Sequence, residues 1–294
     1  MFDEAELLGK RNYMSEYYVV GGAMYSHASK VREWQQFERA VLLRIDSSTR
    51  AVERVLDYTS PPEACPDTPS VVFKAGTLDH DRLYACTQTE ILIYSRCDFS
   101  VENYISLPIF NDVHHVTPSG RGTLLVAVTG LDMVVEISPE GETINEWSVL
   151  DQDVWERFSR DIDYRKVLST KPHQAHPNFV FMIGDDVWAT RCDLKDAICL
   201  TDRSKRIDLN SKNERPVQYV HDGVASSGRL YFTSVDGNIL IADPDRLTVT
   251  ETVNIGEILN YDYPLGWCRG IKVLDEDRDI VGFSRLRSTK LKDK

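Results

Sequence analysis

Val220-His-Asp-Gly-Val-Ala-Ser-Ser-Gly-Arg229 runs directly into Leu230-Tyr-Phe-Thr-Ser234, and after a short turn into Asn238-Ile-Leu-Ile-Ala-Asp243. The runs are short, rich in β-branched and aromatic residues, and bounded by Gly, Ser and Asp. That pattern predicts antiparallel strands joined by tight turns. The layout recurs three times upstream. Phe73 to Arg82 leads to Leu83-Tyr-Ala-Cys-Thr87 and Glu90-Ile-Leu-Ile-Tyr94. Asp112-Val-His-His-Val-Thr-Pro-Ser-Gly120 leads to Leu124-Leu-Val-Ala-Val-Thr129 and Met133-Val-Val-Glu-Ile137. His176-Pro-Asn-Phe-Val-Phe-Met-Ile-Gly-Asp-Asp186 leads to Val187-Trp-Ala-Thr190 and Ala197-Ile-Cys-Leu200.

The threonines that close the second strands give the period. Thr87 to Thr129 is 42 residues, Thr129 to Thr190 is 61, and Thr190 to Thr233 is 43. A period near 42 built of short strands matches a four-stranded propeller blade. Partial blades stand at both ends. Tyr17-Tyr-Val-Val, Ala40-Val-Leu-Leu-Arg-Ile-Asp and Val52-Glu-Arg-Val-Leu supply three strands; Gly266-Trp-Cys-Arg-Gly-Ile-Lys-Val and Ile280-Val-Gly-Phe-Ser supply two. The expectation is an all-β, single-domain chain over 1–294: a β-propeller of five four-stranded blades, with six as the alternative. Strands from both termini close it, which removes open sheet edges. Residues 1–14 read as a flexible tail.

The repeats resemble those of β-propellers of the NHL, gluconolactonase-like and quinoprotein-like kind, over about residues 15–290. The resemblance implies the fold and leaves function open, because unrelated activities share this architecture. No WD dipeptide, regular kelch Gly-Gly or Asp-box narrows the subfamily.

The long interval carries an insertion, taken as 151–172. Val154, Trp155, Phe158 and Ile162 predict an amphipathic helix near 151–165, placed as a lid over the channel or as packed decoration. Lys30–Arg39 predicts a second helical excursion.

Composition narrows the classes. The 294 residues carry 34 Lys+Arg against 46 Asp+Glu, a net charge of −12, which argues against nucleic-acid binding. No apolar run is long enough for a membrane helix, and the acidic N-terminal stretch has no basic n-region. Six cysteines without a CxxC pair read as reduced thiols, and the chain as cytoplasmic. A Cys192–Cys199 pairing stays open. No Walker A, GxGxxG or GxSxG motif is present.

In a propeller the innermost strand of each blade lines the central channel. Superposing the repeats puts Lys74, His114 or His115, His176, His221, and Cys268 or Arg269 at one position, with His173 nearby. Converging imidazoles are how a fold assembles a metal site from distant residues. His114, His115, His176 and His221 are therefore the candidate ligands of a divalent transition metal such as Zn, Fe, Mn or Cu. Asp112 and Asp222 stand beside them to ligate or to orient the rings. Lys74, Arg269 and Asn178 are the candidate substrate-binding residues, with Lys272, Arg285, Arg287 and Lys290 as further cations. They suit a small anionic molecule. His176, His221 and Asp222 are the candidate catalytic residues. Cys268 is a weaker candidate nucleophile, and Asn111 a candidate orienting group.

Three functions remain open. The first is a metal-dependent enzyme acting on a small anionic metabolite at the channel mouth. The second is a metal-free acid–base enzyme using the same histidines. The third is a non-catalytic propeller that binds a protein or glycan through rim aromatics such as Trp34, Trp147 and Trp155.

Overall fold

The computed structural model describes residues 16–26, 35–210, 217–260, 266–275 and 278–284. Three antiparallel strands come first, β1 (Glu16–Met24), β2 (Phe37–Asp46) and β3 (Val52–Tyr58), in the order β1-β2-β3. Four meanders of four strands follow. They are β4 (Ala75–Asp79) to β7 (Val101–Ile105), β8 (Val113–Pro118) to β11 (Thr143–Ser148), β12 (Val180–Ile183) to β15 (Arg206–Asp208), and β16 (Val220–Ser226) to β19 (Thr248–Asn254). Within them, β5 is Arg82–Cys86, β6 Ile91–Ser95, β9 Leu124–Val128, β10 Met133–Ile137, β13 Asp186–Arg191, β14 Asp196–Cys199, β17 Arg229–Ser234 and β18 Asn238–Asp243. β20 (Trp267–Val273) pairs with β21 (Asp279–Ser284). The only α-helix among the described residues is the single turn α1 (Ile255–Leu259).

These 21 strands are the number expected from the repeat, five blades of four with one strand over. Four blades are complete. The terminal strands, three and two in number, form sheets of their own and supply the rest of the propeller. The leading strands β4, β8 and β12 follow one another around the channel, as do β16 and β20.

The packing explains why the repeat was visible. All five residues of β9 are at most 4% exposed, and β10 buries all but Glu136. Blades stack face to face, so both faces of a middle strand are covered and its residues read as one apolar run. Outer strands such as β11 face solvent. Five apolar clusters fill the wedges between successive sheets. Each fully buried Leu, Ile or Val there contributes about 1.5–3 kcal/mol.

The period-marking threonines are 0–1% exposed and have defined tasks. Thr190 Oγ1 accepts from Phe179 N at 3.1 Å, and Thr233 Oγ1 from Asp222 N at 3.1 Å. Thr129 Oγ1 donates to the Pro177 carbonyl, and Thr87 Oγ1 to Glu90 Oε2 at 2.8 Å. In the last two complete blades a hydroxyl from the second strand thus fixes where the leading strand starts.

The insertion departs from the expected helix. It holds two single 3-10 turns, Val154–Glu156 and Tyr164–Lys166. Short polar side chains divert the backbone: Asp153 accepts from Trp155 N, Ser159 Oγ from Asp161 N, and Asp163 from Arg165 N. Such local bonds compete with a continuous helix. Val154, Trp155 and Phe158 still pack onto the core as the apolar spacing implied, joined by Tyr164, whereas Ile162 is exposed. Of the expected excursion Lys30–Arg39, residues 30–34 lie outside the described residues and Phe37–Arg39 belong to β2. The tail over 1–14, His27, Trp34, Arg285, Arg287 and Lys290 also lie outside them.

Candidate functional site

One end of the leading strands gathers the ionisable groups. The backbone is irregular there in three strands. The β8–β9 register shifts between Val113 and His115, so that His114 sits in a bulge. The β16–β17 register shifts between Val220 and Gly223, so that His221 and Asp222 do. The β20–β21 register shifts between Arg269 and Ile271, at Gly270 with φ 64°. A bulge re-aims side chains away from the regular pleat. At Gly223 the backbone passes so close that a Cβ would lie 2.7 Å from the Tyr231 carbonyl oxygen. Asp112 (φ 49°) and His176 (φ 58°) hold left-handed conformations at the same end; such strain collects at functional sites.

These residues line a cavity of about 1560 Å³ together with Lys74, His173 and Arg269. The His114 ring lies 5.1 Å from His176 and 5.9 Å from His221, centroid to centroid. His173 and His176 share a hydrogen bond between their Nδ1 atoms at 2.8 Å, and His114 Nδ1 bonds the Asp112 carbonyl at 2.7 Å. Lys74 Nζ is paired with Asp112 Oδ1 at 3.0 Å.

His221 differs from its neighbours. It is 4% exposed, and its Nε2 has no hydrogen-bond partner. Asp222 Oδ1 stands 3.1 Å from Nδ1, at ion-pair distance, while Oδ2 accepts from Gly270 N at 2.8 Å. Arg269 Nε is buried and also without a partner, and its guanidinium lies 5.3 Å from the Trp267 ring centroid.

Burial keeps the imidazoles neutral. It lowers His114 well below its ordinary value, His176 to about 3 and His115 to about 4. His221 is lowered by burial and by the Arg269 charge, with Asp222 opposing. Burial also acts against the Asp222 carboxylate, but His221, Gly270 N–H and Arg269 outweigh it and hold the group at about 2. The result is a set of uncharged bases beside two cations, Lys74 and Arg269, and two carboxylates, Asp112 and Asp222.

The structure brings Lys74, His114, His176, His221, Asp222 and Arg269 to one cavity wall as expected. His115 also lines this cavity, one residue further along β8, where it packs on Phe179 at 4.8 Å and approaches Thr77 and Val180 N. The other expected residues are placed otherwise. Asn178 is fully buried, donates to the Val220 carbonyl at 3.4 Å and is absent from the cavity wall. Lys272 lines the far end of β20. Asn111 Nδ2 donates to the Tyr164 and Val167 carbonyls, so it anchors the insertion. Cys268 is a core residue whose thiol burial pushes up to about 12, which leaves no nucleophilic thiolate at neutral pH. Cys192 and Cys199 are both free thiols. Trp155 Nε1 donates to Glu146, and Arg160 stacks on its ring.

The four-histidine metal set does not fit. Among the described residues no group of three His, Cys, Asp or Glu is arranged to hold a metal ion. His114 and His176 each hold Nδ1 in a hydrogen bond, to the Asp112 carbonyl and to His173, and His115 packs against Phe179.

Sequence reasoning missed Asp132. Its carboxylate accepts from three successive amides, Gln174 N at 2.8 Å, Ala175 N at 3.0 Å and His176 N at 2.8 Å, and from Arg157 Nη1 at 2.9 Å. It therefore fixes the turn that carries His176 and ties the insertion to it. The signal was present: an acidic residue stands three positions after every period-marking threonine, at Glu90, Asp132, Asp193 and Asp236. Asp236 accepts likewise from Gln218 N ahead of β16.

Among the described residues no helix is long and apolar enough to cross a membrane. No family model and no curated protein matches the chain. Solved structures resemble it at low identity. A streptogramin B lyase is 12% identical with a TM-score of 0.49, over 88% of this chain and 78% of that one. A protein of unknown function from Bacteroides caccae is 11% identical at 0.48, over 82% and 94%. Selenomethionine-substituted virginiamycin B lyase from Staphylococcus aureus is 9% identical at 0.48, over 93% and 90%. Likeness at this level carries no argument about activity, and the propeller assignment rests on the chain's own strands and register.

Proposed function

We propose that the channel mouth is a metal-independent acid–base site for a small carboxylate-bearing metabolite. The observation that carries this reading is the pair of buried, unpartnered nitrogens, His221 Nε2 and Arg269 Nε, in the wall of one cavity. An unmade hydrogen bond on a buried polar group costs about 1–3 kcal/mol, and such groups call for an explanation. A bound anion supplies the missing acceptor for Arg269, and neutral His221 is free to take a proton from it. Asp222, beside Nδ1, stabilises the imidazolium that forms. Arg269 holds the carboxylate and offsets charge that develops on the substrate. His114 and His176 keep the pocket polar without adding charge, and Lys74 balances Asp112.

The test is a panel of small carboxylates and phosphates in D2O. Ligand-observed NMR reports binding and exchange of the proton next to the carboxylate. The expected result is binding with exchange, unaffected by a strong chelator. Arg269→Gln should weaken binding at least tenfold, and His221→Gln should abolish exchange while binding persists. Loss of exchange on chelation, restored by one metal, would reinstate the metal-dependent reading. Binding without exchange in the wild type favours a non-catalytic propeller.

A further inference from the structure

The cavity is larger than a small anion needs. Pockets for drug-sized ligands run to about 300–1,000 Å³, and this one is about 1560 Å³. Its two ends also differ in chemistry. The ionisable residues sit where the leading strands begin. Their far halves contribute Leu78, Met182, Val224 and Ile271, and the terminal sheets add Val19 and Ile280. Leu78, Val19 and Ile280 remain 38%, 45% and 37% exposed and line this cavity. Val19 and Leu78 stand on strands in contact, β1 and β4, and apolar exposure gathered in a concave wall marks a binding surface. Lys74, just ahead of β4, and Leu78 within it are four residues apart in extended chain, so the polar and apolar zones are roughly 13 Å apart.

We infer that the ligand is a single-chain monocarboxylate amphiphile, its head at Arg269 and its apolar chain running toward Leu78, Val19 and Ile280. The inference rests on the carboxylate site proposed above and adds the class of molecule that fills it. The orientation follows from the two ends: the guanidinium whose buried Nε lacks a partner is at one, and the exposed aliphatic side chains of Leu78 and Val19 are at the other, with Lys272 beside Ile280 at its margin. Buried chain length then sets affinity, because each methylene removed from water strengthens binding about fourfold.

The experiment measures dissociation constants of the full chain for acetate, butanoate, hexanoate, octanoate and decanoate below their micellar range. Affinity should rise about fourfold per methylene until the apolar zone is filled. Leu78→Glu and Val19→Glu, both at exposed positions that the core does not depend on, should weaken octanoate at least tenfold and leave acetate unchanged. Arg269→Gln should weaken every member by a similar factor. If the short acids bind and added methylenes gain nothing, the amphiphile inference fails while the carboxylate site stands. If octanoate binds Leu78→Glu and Val19→Glu as it binds the wild type, the placement of the chain is wrong. If no member binds, the site proposed above fails with it.

Discussion

Asp196 and Asp222 are both carboxylates near arginine in neighbouring blades, yet they have opposite surroundings. Asp196 is fully buried and saturated: Arg191 grips it through Nε at 2.8 Å and Nη2 at 2.6 Å, and Arg206 Nε adds a contact at 2.6 Å. At Asp222 the nearby Arg269 and His221 hold buried nitrogens that no protein group satisfies. One cluster is closed and holds a sheet together. The other carries a deficit that folding has not repaired, in a cavity wall. The contrast separates polar groups that stabilise the molecule from polar groups that wait for a ligand.

The largest effect that would break this contrast is at the closed cluster. Asp196→Ala strands Arg191 in a nearly dry site, and breaking a buried pair typically costs about 3–5 kcal/mol. Urea unfolding should show that loss; a change below about 1 kcal/mol would mean that the two clusters do not differ in kind. Next comes pH. The folded chain holds its buried imidazoles below their ordinary 6.5, His115 at about 4. Their stabilisation is complete above pH 6.5 and is lost as pH falls toward about 4, where the unfolded chain takes protons that the folded chain refuses. His115 alone accounts for about 3 kcal/mol of that loss. Stability measured from about pH 7.5 to about pH 4.5 should fall steeply, and His115→Gln should flatten the profile.

Asp132→Asn removes one charge from a carboxylate bound by three amides and Arg157, and should cost about 1–2 kcal/mol. It should also shift the NMR signals of the His173 and His176 rings; unmoved signals would show that Asp132 does not position them. At the open cluster the sign reverses. His221→Leu removes an unsatisfied buried group, so it should leave stability unchanged or raise it by up to about 1 kcal/mol. A loss of several kcal/mol would place His221 with Asp196 among the structural groups. Smallest is the rim pair Arg121–Asp185, whose Asp side chain is fully exposed; Arg121→Ala should change stability by less than about 0.5 kcal/mol.

The fold was legible because propeller packing buries both faces of the middle strands. That turns Leu124–Val128 and Leu230–Phe232 into plain apolar runs in equivalent strands. The histidine position was legible for the same reason, since the repeat carries His114, His176 and His221 to one end of the channel. Alignment could not choose between His114 and His115, because a one-residue bulge decides which of them reaches the cluster. Nor could it show that Asn111 and Asn178 serve the backbone, since polar side chains at turns look alike whether they bind a carbonyl or a ligand. The insertion misled because apolar spacing reported its packing correctly while the aspartates and serines between decided its backbone.

Thr190 and Thr233 hold the amides of Phe179 and Asp222, three residues after His176 and one after His221. In these two blades the hydroxyl that sets sheet alignment therefore also sets how far the imidazole projects into the lumen. Tuning such a propeller for a new ligand is then constrained from behind: a methyl in place of that oxygen keeps the volume, frees the peptide and detunes the aperture, with the scaffold left standing.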